Sequence, residues 1–312
     1  MNGTAESIEH VHGPGDGVPK LPQLHGVLVL NKPSGPSSAK CLSAIKRMGQ
    51  RKIGHAGTLD PMASGVLLVL LGHATKLSSH LMAGGTKRYV GTLRLGTVTD
   101  TWDRMGTTLE ETPWTNVTAA DVVADVAAWT GLVEQPVPPF SAAKHEGQPL
   151  YRLARQGRVT PEKTKTIEIS RAEVLETALP LVRFRVVCSS GTYVRSLAHS
   201  LGMRLGCGAV LTELTREYSH PFGLEASCSL QDIQDDPTLL PRRLRPLSEA
   251  LPEWPQVELA PGDARRVRNG MPVPCGGDAS PSEQALLMED GRPLALAQLR
   301  GDCWTVRRGL WH

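Results

Sequence analysis

One carboxylate stands alone in a glycine-rich stretch of this chain, Gly54-His55-Ala56-Gly57-Thr58-Leu59-Asp60-Pro61-Met62-Ala63-Ser64-Gly65. A lone aspartate can act as a nucleophile or as a general base. The three glycines around Asp60 let another molecule's backbone approach closely, and Pro61 biases Asp60 toward an extended conformation. The same residues also make an ordinary Asp-Pro turn, so this window leaves both readings open. A second junction, Gly191-Thr192-Tyr193-Val194-Arg195, reads as a strand-to-helix turn with Tyr193 and Arg195 in the first helical turn. Helix N-termini favour anions and an arginine there adds a fixed cation; a solvent-facing arginine is the commoner alternative. His55 precedes Asp60 by five residues. Tyr89 sits on a strand, where a tyrosine is more often core than catalyst. With no Ser-His-Asp order, Walker loop or dinucleotide fingerprint, these residues favour a metal-free reaction on a nucleic acid over cofactor chemistry and leave the reaction unidentified.

Composition sets the frame. The 312 residues are 40% apolar, enough for a real core in one large domain or two, and the net charge of +3 permits a polyanionic partner without demanding one. The six cysteines, at 41, 188, 207, 228, 275 and 303, are scattered without a CxxC pair or a His-Cys cluster, so neither zinc nor an iron–sulfur cluster is expected. No run reaches the roughly 18 apolar residues of a membrane span, and residues at the N-terminus lack a signal-peptide core. A cytoplasmic protein with reduced thiols is expected.

The elements that must position the chemistry follow from periodicity. Residues 1–24 read as a flexible leader. Val27 to Leu30 form an apolar strand running into the turn at 31–36, after which Ser37 or Ser38 caps a helix with Leu42, Ile45 and Met48 on one face. Between Gly26 and Leu59 there are six Lys/Arg and no Asp or Glu, so a basic surface leads up to Asp60. The run Val66 to Leu71 reads as a buried strand. Period-2 alternation over 87–95 puts Tyr89, Leu93 and Leu95 on one face and Arg88 and Arg94 on the other. Residues 99–103 read as a polar turn leading away from the sheet, 118–131 as a helix opened by Thr118 and Asp121 and stopped by Gly131, and 135–144 as an extended segment excluded from any central strand by its prolines. A short basic helix around 151–155, strands near 166–175 and 181–188, and a helix with its stripe at Val194, Leu197, Ala198, Leu201 and Leu205 complete the first unit. Residues 235–251 mark a boundary. Beyond it, short strands, a basic helix at 261–269 and a hairpin across Asp290-Gly291 suggest a small barrel that binds something acidic, or one with a solvated basic rim.

Taken in order from Gly26 onward, the chain resembles the TruB family of bacterial tRNA pseudouridine synthases. The resemblance is carried by Gly26-Val27-Leu28-Val29-Leu30-Asn31-Lys32-Pro33 with Gly35 and Ser37-Ser38; by His55 to Pro61 with Gly54 and Gly65; by Lys87-Arg88-Tyr89; by Arg94-Leu95-Gly96 with Thr99-Asp100-Thr101; by Gln135 with Pro138-Pro139 and Ser141-Ala142; and by Gly191 to Arg195. It implies an α+β fold with a mixed, mainly antiparallel central sheet and flanking helices over 25–250, and a small β-rich PUA-like domain over 251–312. It implies isomerisation of a T-loop uridine of tRNA, at position 55, with base flipping and no cofactor. Asp60 matches the essential aspartate, which either attacks C1′ or removes the 2′ hydrogen. Arg195 matches its arginine partner and Tyr89 the tyrosine that stacks on the base. His55 and Tyr193 match pocket residues; Lys32, Gly57, Lys87 and Arg88 fall in the blocks expected to meet RNA, and the basic helix after Lys32 is expected to meet phosphates. A monomer acting on the T-arm without guide RNA or membrane is the expectation. Asn31 stands where the family often has aspartate, and the leader has no counterpart. A non-catalytic RNA-binding protein and a nucleoside-bond hydrolase remain as alternative readings of the same residues.

Overall fold

The computed structural model describes residues 20–83, 85–158, 160–276 and 282–311. The chain opens with β1 (Gly26–Lys32), α1 (Ser38–Arg47), β2 (Ile53–Ala56) and β3 (Ser64–Leu71), followed by β4 (Lys87–Leu95), α2 (Ala119–Ala127) and β5 (Gly131–Pro136). Next come α3 (Leu150–Arg155), β6 (Thr164–Ala178), β7 (Leu181–Cys188), α4 (Val194–Arg204) and β8 (Ala209–Ser219). The backbone of the molecule is a mixed sheet in the order Cys228–Ser229, β1, β3, β8, β4, β7, β6, β5. Most neighbours are antiparallel. The exception at the centre is β3 against β8, parallel with Ser64 opposite Thr215 and Gly65 opposite Arg216.

Both faces of β1 and β3 are covered, which is why these strands read as unbroken apolar runs rather than alternating ones. Leu28, Leu30, Leu67, Val69 and Leu71 join the core beneath α1 and α4, whereas Val27, Val29, Val66, Leu68 and Leu70 face the other way. Each fully buried leucine here stabilises the sheet by about 2–3 kcal/mol relative to an exposed one. The second face is covered by the C-terminal unit, built from β9 (Gln256–Glu258), α5 (Pro261–Arg268), β10 (Val273–Pro274), β11 (Gln284–Glu289), β12 (Arg292–Arg300) and β13 (Cys303–Gly309). Its strands form a five-stranded sheet in the order β9, β11, β12, β13, β10. Leu286, Met288, Leu296 and Leu310 pack in the same cluster as Val27 and Leu68. The hairpin at Asp290-Gly291 has both residues at positive φ, 49° and 68°, as a type I′ turn requires.

Several expectations are modified. The leader expected over 1–24 lies outside the described residues up to 19, while residues 20–24 are tied down: the Leu21 amide donates to Met48 O at 2.9 Å, and the Leu24 amide to Gln50 Oε1 at 2.8 Å. Gly131 begins β5 instead of stopping α2, which ends at Ala127 behind a complete Thr118–Asp121 capping box. β5 is the sheet's edge strand, the one place its Pro136 fits. The stretch 235–251 is woven into the sheet, with Leu244–Arg245 pairing β1 and Leu240 fully buried. Its leucines serve as core residues of the first unit, which the sequence reading carries to residue 250.

The turn at 99–103 is a correction of more consequence. It folds back onto the sheet instead of leading away: the Arg104 amide donates to Leu211 O at 3.0 Å, the Leu211 amide to Trp102 O at 3.2 Å, and Asp103 is buried. Trp102 adopts a left-handed φ of 61°, and its ring stacks on His199 of α4 at 4.3 Å.

Candidate active site

Asp60 lies on the loop 57–63 between β2 and β3, and that loop is pinned from beneath by side chains that donate to its carbonyls. Lys32 is fully buried; its ammonium donates to Ala63 O at 2.6 Å, Pro33 O at 2.9 Å and Pro61 O at 3.3 Å. Burial lowers its pKa, which the nearby Asp60 charge partly opposes. Ser38, at the start of α1, donates to Leu59 O and accepts from the Leu59 amide, both at 3.0 Å. Leu59, Met62 and Ala63 point into the core. Asp60 stays available between these buried neighbours, with a third of its side chain exposed.

The other half comes from α4. Arg195 is 4% exposed and grips Asp60 with two donors, Nε to Oδ2 at 2.9 Å and Nη2 to Oδ1 at 3.1 Å. Its remaining donors are also used: Nη1 donates to Thr101 O at 2.9 Å and Nη2 to Phe140 O at 3.0 Å, with Asp103 Oδ2 at 3.7 Å from Nε. A planar fork held at both ends cannot swing, so both Asp60 oxygens are fixed. The turn beneath α4 is held in its turn by Gln135, whose Oε1 accepts from the Tyr193 amide at 3.1 Å and whose Nε2 donates to Gly191 O at 3.4 Å.

The floor is the face of β4 and β8 toward the loop. Tyr89 and Lys87 share this face by period 2, and Arg216 sits directly opposite Tyr89. Arg216 is fully buried, with Nε donating to Val66 O at 2.7 Å, Nη2 to Gly57 O at 2.9 Å and Nη1 to Thr58 O at 3.4 Å. Gly57 has a φ of +87°, which strains any side-chain-bearing residue, and a Cβ there would crowd Lys87 Nζ at 3.1 Å and Arg216 Nη1 at 3.4 Å. Burial pushes the Tyr89 phenol above its ordinary value, with Arg216 opposing. Burial, reinforced by the Arg216 charge, lowers the His55 pKa, so its ring is neutral at pH 7. His55 Nδ1 is buried without a hydrogen-bond partner among the described residues.

Lys87 donates to Ser190 Oγ at 3.0 Å, and its pKa is pushed down to about 8, first by burial and then by the Arg216 charge. Between pH 8 and 10.5 the unfolded chain keeps this proton while the folded chain has lost it, so the group's contribution to stability rises with pH across that window. Below pH 8 the buried ammonium opposes folding by about 3 kcal/mol. Replacing Lys87 by Met is therefore expected to stabilise the protein at pH 7 and to lose that advantage by pH 10, read from denaturant unfolding of both forms across the range. A constant difference between them would show that Lys87 is not held charged in a dry site.

The structure brings together Asp60, Arg195, Tyr89, Lys87, Gly57 and the buried cations, with His55 and Tyr193 on the elements that frame them. It does not bring Arg88 there. Arg88 points off the opposite face of β4, ion-paired to Glu217 at 3.0 Å and lying over the Tyr218 ring. Lys32 turns inward as a brace and is not placed to meet phosphates. Two residues escaped the sequence reading. Arg216 shares its parity with the inward Leu214, which was the available signal; Asp103 gave none, because its role depends on a turn that returns to the sheet.

A carboxylate held by an arginine fork, above a strand floor that carries Tyr89, Lys87 and Arg216, is the chemistry-bearing centre that this fold assembles. Residues 46–194 match the TruB family pseudouridylate synthase (N terminal domain), and residues 195–252 match the tRNA pseudouridylate synthase B C-terminal domain. The two matches meet at the first turn of α4, inside one continuous sheet. A protein of Nitratidesulfovibrio vulgaris named tRNA pseudouridine synthase B is 58% identical over 300 residues, covering 93% of this chain and 97% of that one. One of the same name from Geobacter sulfurreducens is 40% identical over 293 residues, covering 90% and 96%. A chain in the solved structure of an H/ACA RNP bound to a substrate RNA containing 2′-deoxyuridine superposes with a TM-score of 0.70 at 25% identity, covering 92% of this chain and 86% of that one. The chain belongs to the TruB family of pseudouridylate synthases, and its fold is that of the pseudouridine synthases with a PUA-like C-terminal unit.

Proposed function

We propose that this protein isomerises a uridine of tRNA to pseudouridine, at position 55 in the T-loop, as a stand-alone monomer in the cytoplasm that uses neither guide RNA nor a cofactor. The observation that carries the reading is the two-pronged Asp60–Arg195 pair, assembled from residues 135 apart in a chain whose relatives bear that activity in their names. The base must leave its stack to reach the Asp60 carboxylate, which is held on the protein by Arg195. Asp60 then either attacks C1′ or removes the 2′ hydrogen; by either route the N1–C1′ bond breaks, the uracil rotates, C5 bonds to C1′, the C5 proton is lost and N1 gains one. Tyr89 lies against the base and opposes its loss into solvent during rotation. Its phenol is buried, which raises its pKa and keeps it protonated at neutral pH. His55, Tyr193, Gly57 and Lys87 line the space around the nucleotide, while Lys32 and Arg216 hold the loop that presents Asp60.

The test is a tRNA transcript tritiated at C5 of its uridines. One tritium released to water per pseudouridine formed, with no free uracil, is the expected result. Free uracil would establish a nucleoside-bond hydrolase, and tRNA binding without tritium release would establish a non-catalytic RNA-binding protein.

A further inference from the structure

Away from the catalytic loop, four cations converge on an open cleft of about 650 Å³ at the C-terminal end of α1: Lys20, Lys46, Arg47 and Arg51, with Gln23 beside them and no acidic side chain in its lining. Among the described residues, none of the four has an ion-pair partner. Lys46 and Arg47 stand in the last turn of the helix, where the helix dipole alone favours cations. Lys20 and Arg51 lie outside the helix and have no such reason to be there. The cleft is also built rather than incidental. Gln50 is fully buried at its base; it donates to Pro22 O at 2.8 Å and accepts from Gln23 Nε2 at 3.2 Å, and Gln23 Oε1 accepts from the Lys52 amide at 2.8 Å. Gly49, at φ +101°, lets the wall close, since a Cβ there would lie 2.3 Å from Leu21 O.

The position of this cleft relative to the chemistry is fixed by α1 itself. Ser38 at one end of the helix is bonded to Leu59, next to Asp60, and Arg47 is at the other end. Ten residues at 1.5 Å rise put the cleft roughly 15 Å from the catalytic loop. Exposed Lys40 lies between them, about two turns before Arg47 and on the same side of the helix.

We propose that this cleft is a second RNA subsite, taking phosphodiester groups of the substrate's backbone about 15 Å from the flipped nucleotide, and that the segment 20–23 is part of RNA recognition because it supplies Lys20 and one wall. The proposal rests on RNA being the substrate. The test is the full chain carrying Arg47→Ala and Arg51→Ala together, both exposed and outside the catalytic site. Affinity for unmodified tRNA is measured from 50 to 200 mM salt, alongside a control with Arg171→Ala and Arg183→Ala that removes the same charge from β6 and β7. Expected is a weakening of at least about fivefold at the lower salt and a fall of about 1.5 in the slope of log K against log salt, the release of two phosphate contacts. The kcat at saturating tRNA and the melting temperature stay at the parent values. An affinity and slope equal to the parent's, an equal loss in the control, or a fall in kcat without a loss of affinity would each overturn the subsite. None of these results touches whether the parent makes pseudouridine, so the two readings fail separately.

Discussion

Asp60→Asn is expected to lower pseudouridine formation by at least about 10³-fold while leaving the affinity for tRNA within about threefold of the parent's. The loss is large because neither chemical route survives without the carboxylate: an amide neither attacks C1′ nor takes a proton. Affinity persists because phosphate contacts supply most of it, and Asp60 makes none. The fold persists because Arg195 keeps Thr101 O, Phe140 O and Asp103, and the loop keeps Lys32, Ser38 and Arg216. Single-turnover kinetics with saturating enzyme separates the two quantities. Turnover within tenfold of the parent's would remove Asp60 from the chemistry.

Arg195→Lys is expected to lower kcat by about 100-fold with little change in KM, and to destabilise the protein by about 2–4 kcal/mol. Lysine keeps the charge but presents one point donor group in place of a rigid fork. It cannot hold both Asp60 oxygens and also reach the carbonyls of Thr101 and Phe140, so a buried acceptor is left without a donor and the carboxylate is free to turn. A misplacement of about 1 Å at a reacting group costs on the order of 100-fold. Arg195→Met is the harsher case, since it leaves Asp60 and the buried Asp103 facing one another uncompensated. Rate and melting curves for the pair of variants distinguish aim from charge: a lysine variant with kcat within threefold of the parent's would mean that charge suffices and the fork aims nothing.

The legible parts of this protein are those written in local chemistry. The Asp60 loop was readable because glycines and an Asp-Pro step force a turn against an apolar strand. The helices were readable from caps and stripes, with Ser37 and Thr118 where the sequence put them. The hairpin at Asp290-Gly291 was fixed by the φ its turn demands. What escaped were features decided by distant partners. Periodicity left Arg195 off the helix's apolar stripe, where a solvated arginine is the ordinary outcome; only the return of 99–103 and the arrival of the Asp60 loop bury it. The resemblance places Lys32 among the residues that meet RNA, yet its ammonium is fully buried, and three carbonyls around it offset part of the desolvation that lowers its pKa. The role of Arg216 likewise depends on a partner distant in sequence, Val66, 150 positions earlier.

Asp60 held by Arg195 is expected to convert a tRNA uridine without releasing its base. The direct measurement is incubation of the purified protein with an unmodified tRNA transcript in buffer alone, followed by mapping of pseudouridine at nucleotide resolution. A single pseudouridine in the T-loop, absent when Asp60→Asn replaces the parent, is the predicted result. A transcript that remains unmodified after many equivalents of bound enzyme, or one modified equally by Asp60→Asn, would contradict it.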